Sequence, residues 1–127
     1  MKKKITTKKA PAALGPYSQG VINSKKSTVY ISGQIALRPG EAMILAKDFK
    51  SQATIVFENL MEVAAAGNCS SDNFVKLTIY LTNLKDFDEL NQIMQKNFNA
   101  PFPARSTVEV AALPKGALLE IDAILSC

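Results

Sequence analysis

Apolar residues recur along the chain with two periods, and the switches between them mark out the elements. Phe49, Ala53, Val56, Phe57, Leu60 and Ala64 return at steps of three and four, the signature of one helix face. Asp48 just before them offers an N-cap acceptor, and Gly67 offers a stop. A second such stripe, Phe87, Leu90, Met94 and Phe98, predicts a helix over Asp86–Phe98. Between the two, Phe74–Leu81 alternates, with Val75, Leu77, Ile79 and Leu81 on one face and Lys76, Thr78 and Tyr80 on the other, as a strand does. Gly20–Asn23 and Thr28–Ser32, joined by a lysine-containing turn over Ser24–Ser27, read as a hairpin. Gly33 interrupts its second strand, which marks a bulge or a close backbone approach. Pro101 and Pro103 bar helix continuation and lead into strands over Ser106–Val110 and Leu118–Leu125, separated by the turn Leu113–Gly116.

The order ββαβαββ predicts a two-layer α+β domain with helices on one face of the sheet. The last two strands are apolar on both faces: Val108 and Val110, then Leu119, Ile121, Ala123 and Leu125 opposite Leu118 and Ile124. Helices cover one face only, so the other needs a cover, and another subunit is the simplest. Residues 10–17, punctuated by Pro and Gly, read as an ordered loop. Residues 1–9 read as a flexible basic tail and 10–127 as a single domain.

A length of 127 residues fits one domain, and 47% hydrophobic against 20% charged residues excludes disordered and fibrous classes. No apolar run approaches the ~20 residues of a membrane span, and the basic start lacks the apolar region of a secretory signal. Two cysteines, Cys69 and Cys127, are too few for a disulfide scaffold and point to a reducing compartment, hence to the cytoplasm. The net charge of +4 is a property of the N-terminus: Lys2, Lys3, Lys4, Lys8 and Lys9 supply five of fifteen positive charges. The remaining ten bases face eleven acids, a net of −1. A groove neutralising many phosphates is not expected from that balance, so a nucleic-acid partner is disfavoured. There is no His, which removes Ser-His-Asp and Cys-His chemistry, and no Cys/His spacing suits zinc. No metal and no cofactor is expected.

Few residues remain to carry chemistry. Arg105 is one of two arginines against thirteen lysines, and its planar fork suits a carboxylate in a way an ammonium does not. The plainer reading is an internal ion pair with Glu109 or Glu120. Glu120, between Leu119 and Ile121, sits in a strongly apolar strand, where a carboxylate either pairs with a cation or has a perturbed pKa and a function. Tyr17, after Gly15-Pro16, could offer a phenol or simply pack. Ser32-Gly33 could present a hydroxyl and an amide or merely form the bulge, and Asn91 could orient a ligand or face solvent. Cys69, without a base nearby in sequence, does not read as a reactive thiol.

Ala10-Pro11-Ala12-Ala13-Leu14-Gly15-Pro16-Tyr17-Ser18-Gln19-Gly20, Ser32-Gly33-Gln34-Ile35, Phe102-Pro103-Ala104-Arg105-Ser106 and Val110–Ile121 with its Leu113-Pro114-Lys115-Gly116 turn resemble the RidA family of imine deaminases, also labelled endoribonuclease L-PSP. The resemblance implies a chorismate-mutase-like fold assembled as a homotrimer with clefts between subunits. It implies hydrolysis of 2-iminopropanoate and 2-iminobutanoate, and their enamine forms, to 2-keto acids and ammonia. Carried over by residue, Arg105 clamps the substrate carboxylate, Ser32 and Gly33 line the pocket, Tyr17 closes over the ligand, Asn91 supports the site and Glu120 positions the attacking water. Thr107 lends a backbone carbonyl where many bacterial members have Cys. Two rival readings follow from the same resemblance: an endoribonuclease that inhibits translation, and a non-catalytic module that binds small carboxylates.

Overall fold

In the computed structural model, which describes residues 2–23, 25 and 27–127, six strands make one mixed sheet. They are β1 (Lys2–Ile5), β2 (Gly20–Asn23), β3 (Thr28–Gln34), β4 (Phe74–Leu81), β5 (Ala104–Glu109) and β6 (Leu119–Ser126), in the spatial order β1-β2-β3-β6-β4-β5. Neighbours are antiparallel except β4 and β5, which run parallel and are joined by the crossover helix α2 (Phe87–Asn97). The other helix, α1 (Phe49–Ala66), connects β3 to β4 and packs on the same face. The last strand therefore inserts between β3 and β4, in the middle of the sheet. The two-layer α+β expectation holds, with one strand more than the sequence pattern suggested. No helix among the described residues is long and apolar enough to cross a membrane.

The core lies between helices and sheet. Val56, Phe57, Leu60 and Val63 of α1 meet Leu77, Ile79 and Leu81 of β4 and Leu119, Ile121 and Leu125 of β6, all buried. Phe98, just past α2, takes Phe57 and Phe74 edge-on at centroid distances of 5.9 and 5.3 Å. Asp48 caps α1 as expected, accepting from the Ser51 amide at 2.9 Å. Two buried amides of α1 then fasten it to the loops that border the site. Gln52 donates to the Ala46 carbonyl and accepts from the Leu118 amide, both at 2.9 Å. Asn59 donates to the carbonyls of Leu37 and Ile35 at 2.8 and 3.3 Å.

Several details depart from the sequence pattern. The basic start is not a free tail: Lys2–Ile5 form the edge strand β1, paired residue for residue with β2. Ile5, apolar among lysines, is the anchor; it is buried and lies against Gly67, where an added methyl would come within 2.9 Å of its Cδ1. The exposed lysines left outside discourage further strands from pairing with that edge. Past β1, the buried Gln19 side chain accepts from the Thr7 amide and donates to the carbonyls of Thr7, Ala10 and Pro11. Ser24 and Lys26 of the expected hairpin turn lie outside the described residues. Gly67 is the C-cap of α1, as expected, with φ −94°, and the residue after it, Asn68, takes the left-handed conformation (φ 62°). Val75 is exposed, although alternation alone grouped it with Leu77, because a bulge between Phe74 and Lys76 shifts the register. Cys69 and Cys127 are not free thiols. The turn after α1 brings Cys69 beside the end of β6, and the two form a disulfide with Cα atoms 5.6 Å apart.

Phe57→Ala removes the ring on which α1 and Phe98 meet. Urea unfolding is expected to register a loss of about 3–5 kcal/mol, typical of an emptied aromatic core position.

Candidate functional site

Side chains along a strand alternate between faces, and registered partners on adjacent strands share a face. Arg105 registers with Leu77, which is fully buried beneath the helices, so Arg105 stands on the helix-covered face at the β5 edge. Glu120 registers with Tyr80, between the buried Leu119 and Ile121, and so stands on the open face. The expected site residues thus divide into two groups on opposite sides of one sheet.

The first group surrounds Arg105. One terminal guanidinium nitrogen donates to Asn91 Oδ1 at 2.7 Å and meets Met94 Sδ at 3.1 Å, both on α2. The guanidinium carbon lies 5.0 Å from the Phe87 ring centroid. Neither expected ion pair forms: Glu109 accepts from the Leu84 amide at 2.9 Å, and Glu120 is on the other face. Among the described residues Arg105 has no carboxylate partner. It borders a concavity of about 350 Å³ with Gln95, Phe102 and Pro103. Thr107, next along β5 on the same face, has a buried hydroxyl with no hydrogen-bond partner among the described residues.

The second group surrounds Glu120. A cavity of about 440 Å³ is lined by Tyr17, Ser32, Gly33, Lys115 and Glu120, with Leu14, Ile35 and Pro114 among its apolar walls. Gly33 sits in a bulge of β3, between the pairs Ile31–Ala123 and Gln34–Ile121. The Glu120 carboxyl leans onto it: a Cβ at residue 33 would overlap a carboxyl oxygen and stand 2.9 Å from Cδ. Ser32 does not present a free hydroxyl; it donates to the Ser18 carbonyl at 2.6 Å and so pins the loop that carries the exposed Tyr17. Lys115, held at φ 57°, donates to the Ala42 carbonyl at 2.9 Å across the cavity rim. Glu120 accepts no hydrogen bond from the described residues. Burial, then the nearby Asp122 carboxylate, push its pKa above the ordinary 4.5.

Sequence reasoning passed over Phe87, Met94, Lys115, Tyr80 and Asp122. Phe87 and Met94 had been assigned wholly to the core stripe. The alternation of β4 did carry a signal, because it places Tyr80 on the open face.

Residues 7–127 match the family described as Endoribonuclease L-PSP. The chain belongs to that family. This L-PSP family member is similar to the human 2-iminobutanoate/2-iminopropanoate deaminase, at 41% identity over 94% of this chain and 86% of the human one. Its fold is similar to the crystal structure of RidA from an Antarctic Psychrobacter, at 47% identity and a TM-score of 0.92, covering 98% of this chain and 99% of that one. It is also similar to Escherichia coli TdcF with bound serine, at 38% identity and a TM-score of 0.88, covering 98% of each chain.

A carboxyl whose pKa rises on folding favours the folded state fully below its unfolded value, and that contribution is lost as pH climbs through the folded value. Glu120→Gln is therefore expected to raise the melting temperature at pH 7 and leave it nearly unchanged at pH 4, by scanning fluorimetry at both pH values.

Proposed function

We propose that the protein hydrolyses small 2-imino acids, and the enamines in equilibrium with them, to 2-keto acids and ammonia. The observation that carries this reading is Arg105: a guanidinium held by Asn91 and Phe87, without an acid partner among the described residues, beside an open concavity. Such a group is set up to grip a carboxylate from outside the chain. The serine bound in the TdcF structure has an α-carboxylate of that kind.

One chain alone does not close the site, since Arg105 and Glu120 stand on opposite faces. A second copy, laying its open face beside the first copy's β5 edge, supplies Glu120, Gly33 and Tyr17 to the carboxylate held by Arg105. Exposed Tyr30, Val75 and Val108 are the apolar surface such packing covers. Three copies in a ring, as the family resemblance implies, give three equivalent clefts.

The chemistry needs no metal and no imidazole. A protonated imine is electrophilic at C2. Water adds there as its proton passes to Glu120, and the C=N π pair moves onto nitrogen. Glu120 returns that proton to the amine of the carbinolamine. The C–N bond then breaks and its electrons leave with ammonia, while the hydroxyl gives its proton to the freed Glu120 carboxylate and its oxygen becomes the keto carbonyl. Orientation and fixed dipoles supply most of what such a step requires. Nothing at the cavity favours the ribonuclease reading. Its charged lining is Lys115 and Glu120 only, too little to hold a polyanion.

With imine generated in situ by an amino-acid dehydratase, Arg105→Ala is expected to lower kcat/KM by at least about 100-fold, and Arg105→Lys to restore only a small part. The oligomer seen by light scattering should not change; full activity in Arg105→Ala would overturn the assignment. Mixing inactive Arg105→Ala with inactive Glu120→Gln and re-annealing the subunits should return about a quarter of wild-type activity, because one cleft in four draws both intact residues from different chains. No recovery would show that each chain supplies a whole site.

A further inference from the structure

The proposed chemistry asks Glu120 to take and return a proton, and the structure contains a feature beside it that this mechanism does not use. Tyr80 lies directly across the β4–β6 ladder from Glu120, yet its hydroxyl reaches diagonally to Asp122 Oδ2 at 3.4 Å. Asp122 is two residues along β6 on the same open face. On the opposite side Gly33 has no side chain, and the Glu120 carboxyl leans into the space this leaves. The phenol that faces Glu120 across the ladder is thus directed to Asp122 instead, and the Glu120 carboxyl accepts no hydrogen bond among the described residues.

We propose that Asp122 and Tyr80 are positioning residues for Glu120: Asp122 accepts the Tyr80 hydrogen bond that Glu120 would otherwise receive, and so keeps Glu120 free to work on water. The inference rests on the hydrolytic reading of the site and adds to it the pair that sets the state of its base. A Glu120 bonded to a phenol would be a weaker base and would be held over β4, away from Gly33. A negative Asp122 also disfavours ionisation of Glu120, in line with the upward direction of its pKa. For Glu120 burial is the larger cause and Asp122 the second, whereas Tyr80 titrates above its ordinary value through the Asp122 charge first and burial second. Within its own chain the remaining titratable groups facing Glu120 are Tyr17 of the loop and Lys115 of the 113–116 turn, both lining its cavity; in the proposed assembly Arg105 of the neighbouring copy faces it across the cleft in every variant alike. Lys76 of β4 sits farther along, opposite Ile124.

The test compares three variants of the full-length oligomer through the pH profile of kcat/KM for imine hydrolysis and the ¹³C carboxyl titration of Glu120. Asp122→Asn removes the charge but keeps an acceptor for Tyr80; the acid limb and the Glu120 titration should both move down by about half a pH unit or more. Asp122→Ala removes charge and acceptor, frees Tyr80 to donate to Glu120, and should move both further. Tyr80→Phe leaves the Asp122 charge in place and should move neither downward. If Asp122→Ala fails to fold, the Asp122→Asn and Tyr80→Phe pair decides alone. A Glu120 titration that stays put in Asp122→Asn overturns the proposal, whatever the activity. If instead it moves as expected while Glu120→Gln hydrolyses imine at the wild-type rate, the positioning pair stands and the catalytic role of Glu120 falls.

Discussion

One sheet has two faces, and strict alternation along its strands decides what each can present. In this chain that rule separates the cation from the acid. Arg105 belongs to the set containing Leu77 and Ile79, beneath the helices, and Glu120 belongs to the set containing Tyr80 and Asp122, on the open side. No rotamer change in either side chain undoes this, because the intervening β4 is fully hydrogen-bonded on both edges. The proposed hydrolytic site, which uses both groups, therefore calls for a second copy of the chain.

Each half is prepared in a different way. The Arg105 half is held by side chains of α2, an amide oxygen and a thioether on one nitrogen and an aromatic ring against the planar face. A guanidinium held this way has little further freedom to lose in the carboxylate grip proposed for it. The Glu120 half is held by backbone: a bulge, a glycine with no side chain, and a serine hydroxyl that fastens the overlying loop. One half supplies a fixed charge, the other a shaped space containing a carboxyl that is costly to ionise.

Much of this could be read in the sequence, for reasons visible in particular residues. The helices were legible because Phe49 to Ala64 and Phe87 to Phe98 keep a clean helical period, and the interior strands because Leu77, Ile79, Leu119 and Ile121 alternate without interruption. Strand β1 was not, since four residues with one apolar side chain carry no period; only tertiary contact with Gly67 and pairing with β2 make it a strand. Val75 was assigned to the wrong face because a bulge is a feature of the partner strand as well. The cysteine pair could not be inferred from two residues 58 positions apart, whose proximity depends on β6 returning to the centre of the sheet. At the site, the choice between an internal ion pair and a free Arg105 turned on which face each acid occupies, and that requires the register.

The bulge at Gly33 divides β3 into two lengths of opposite parity: Val29 and Ile31 point inward before it, Gln34 after it. A change of phase within a strand acts as a mechanical clutch. The same sheet face is thus built by odd-numbered residues on one side of the bulge and by an even-numbered one on the other, with backbone alone against the Glu120 carboxyl between them.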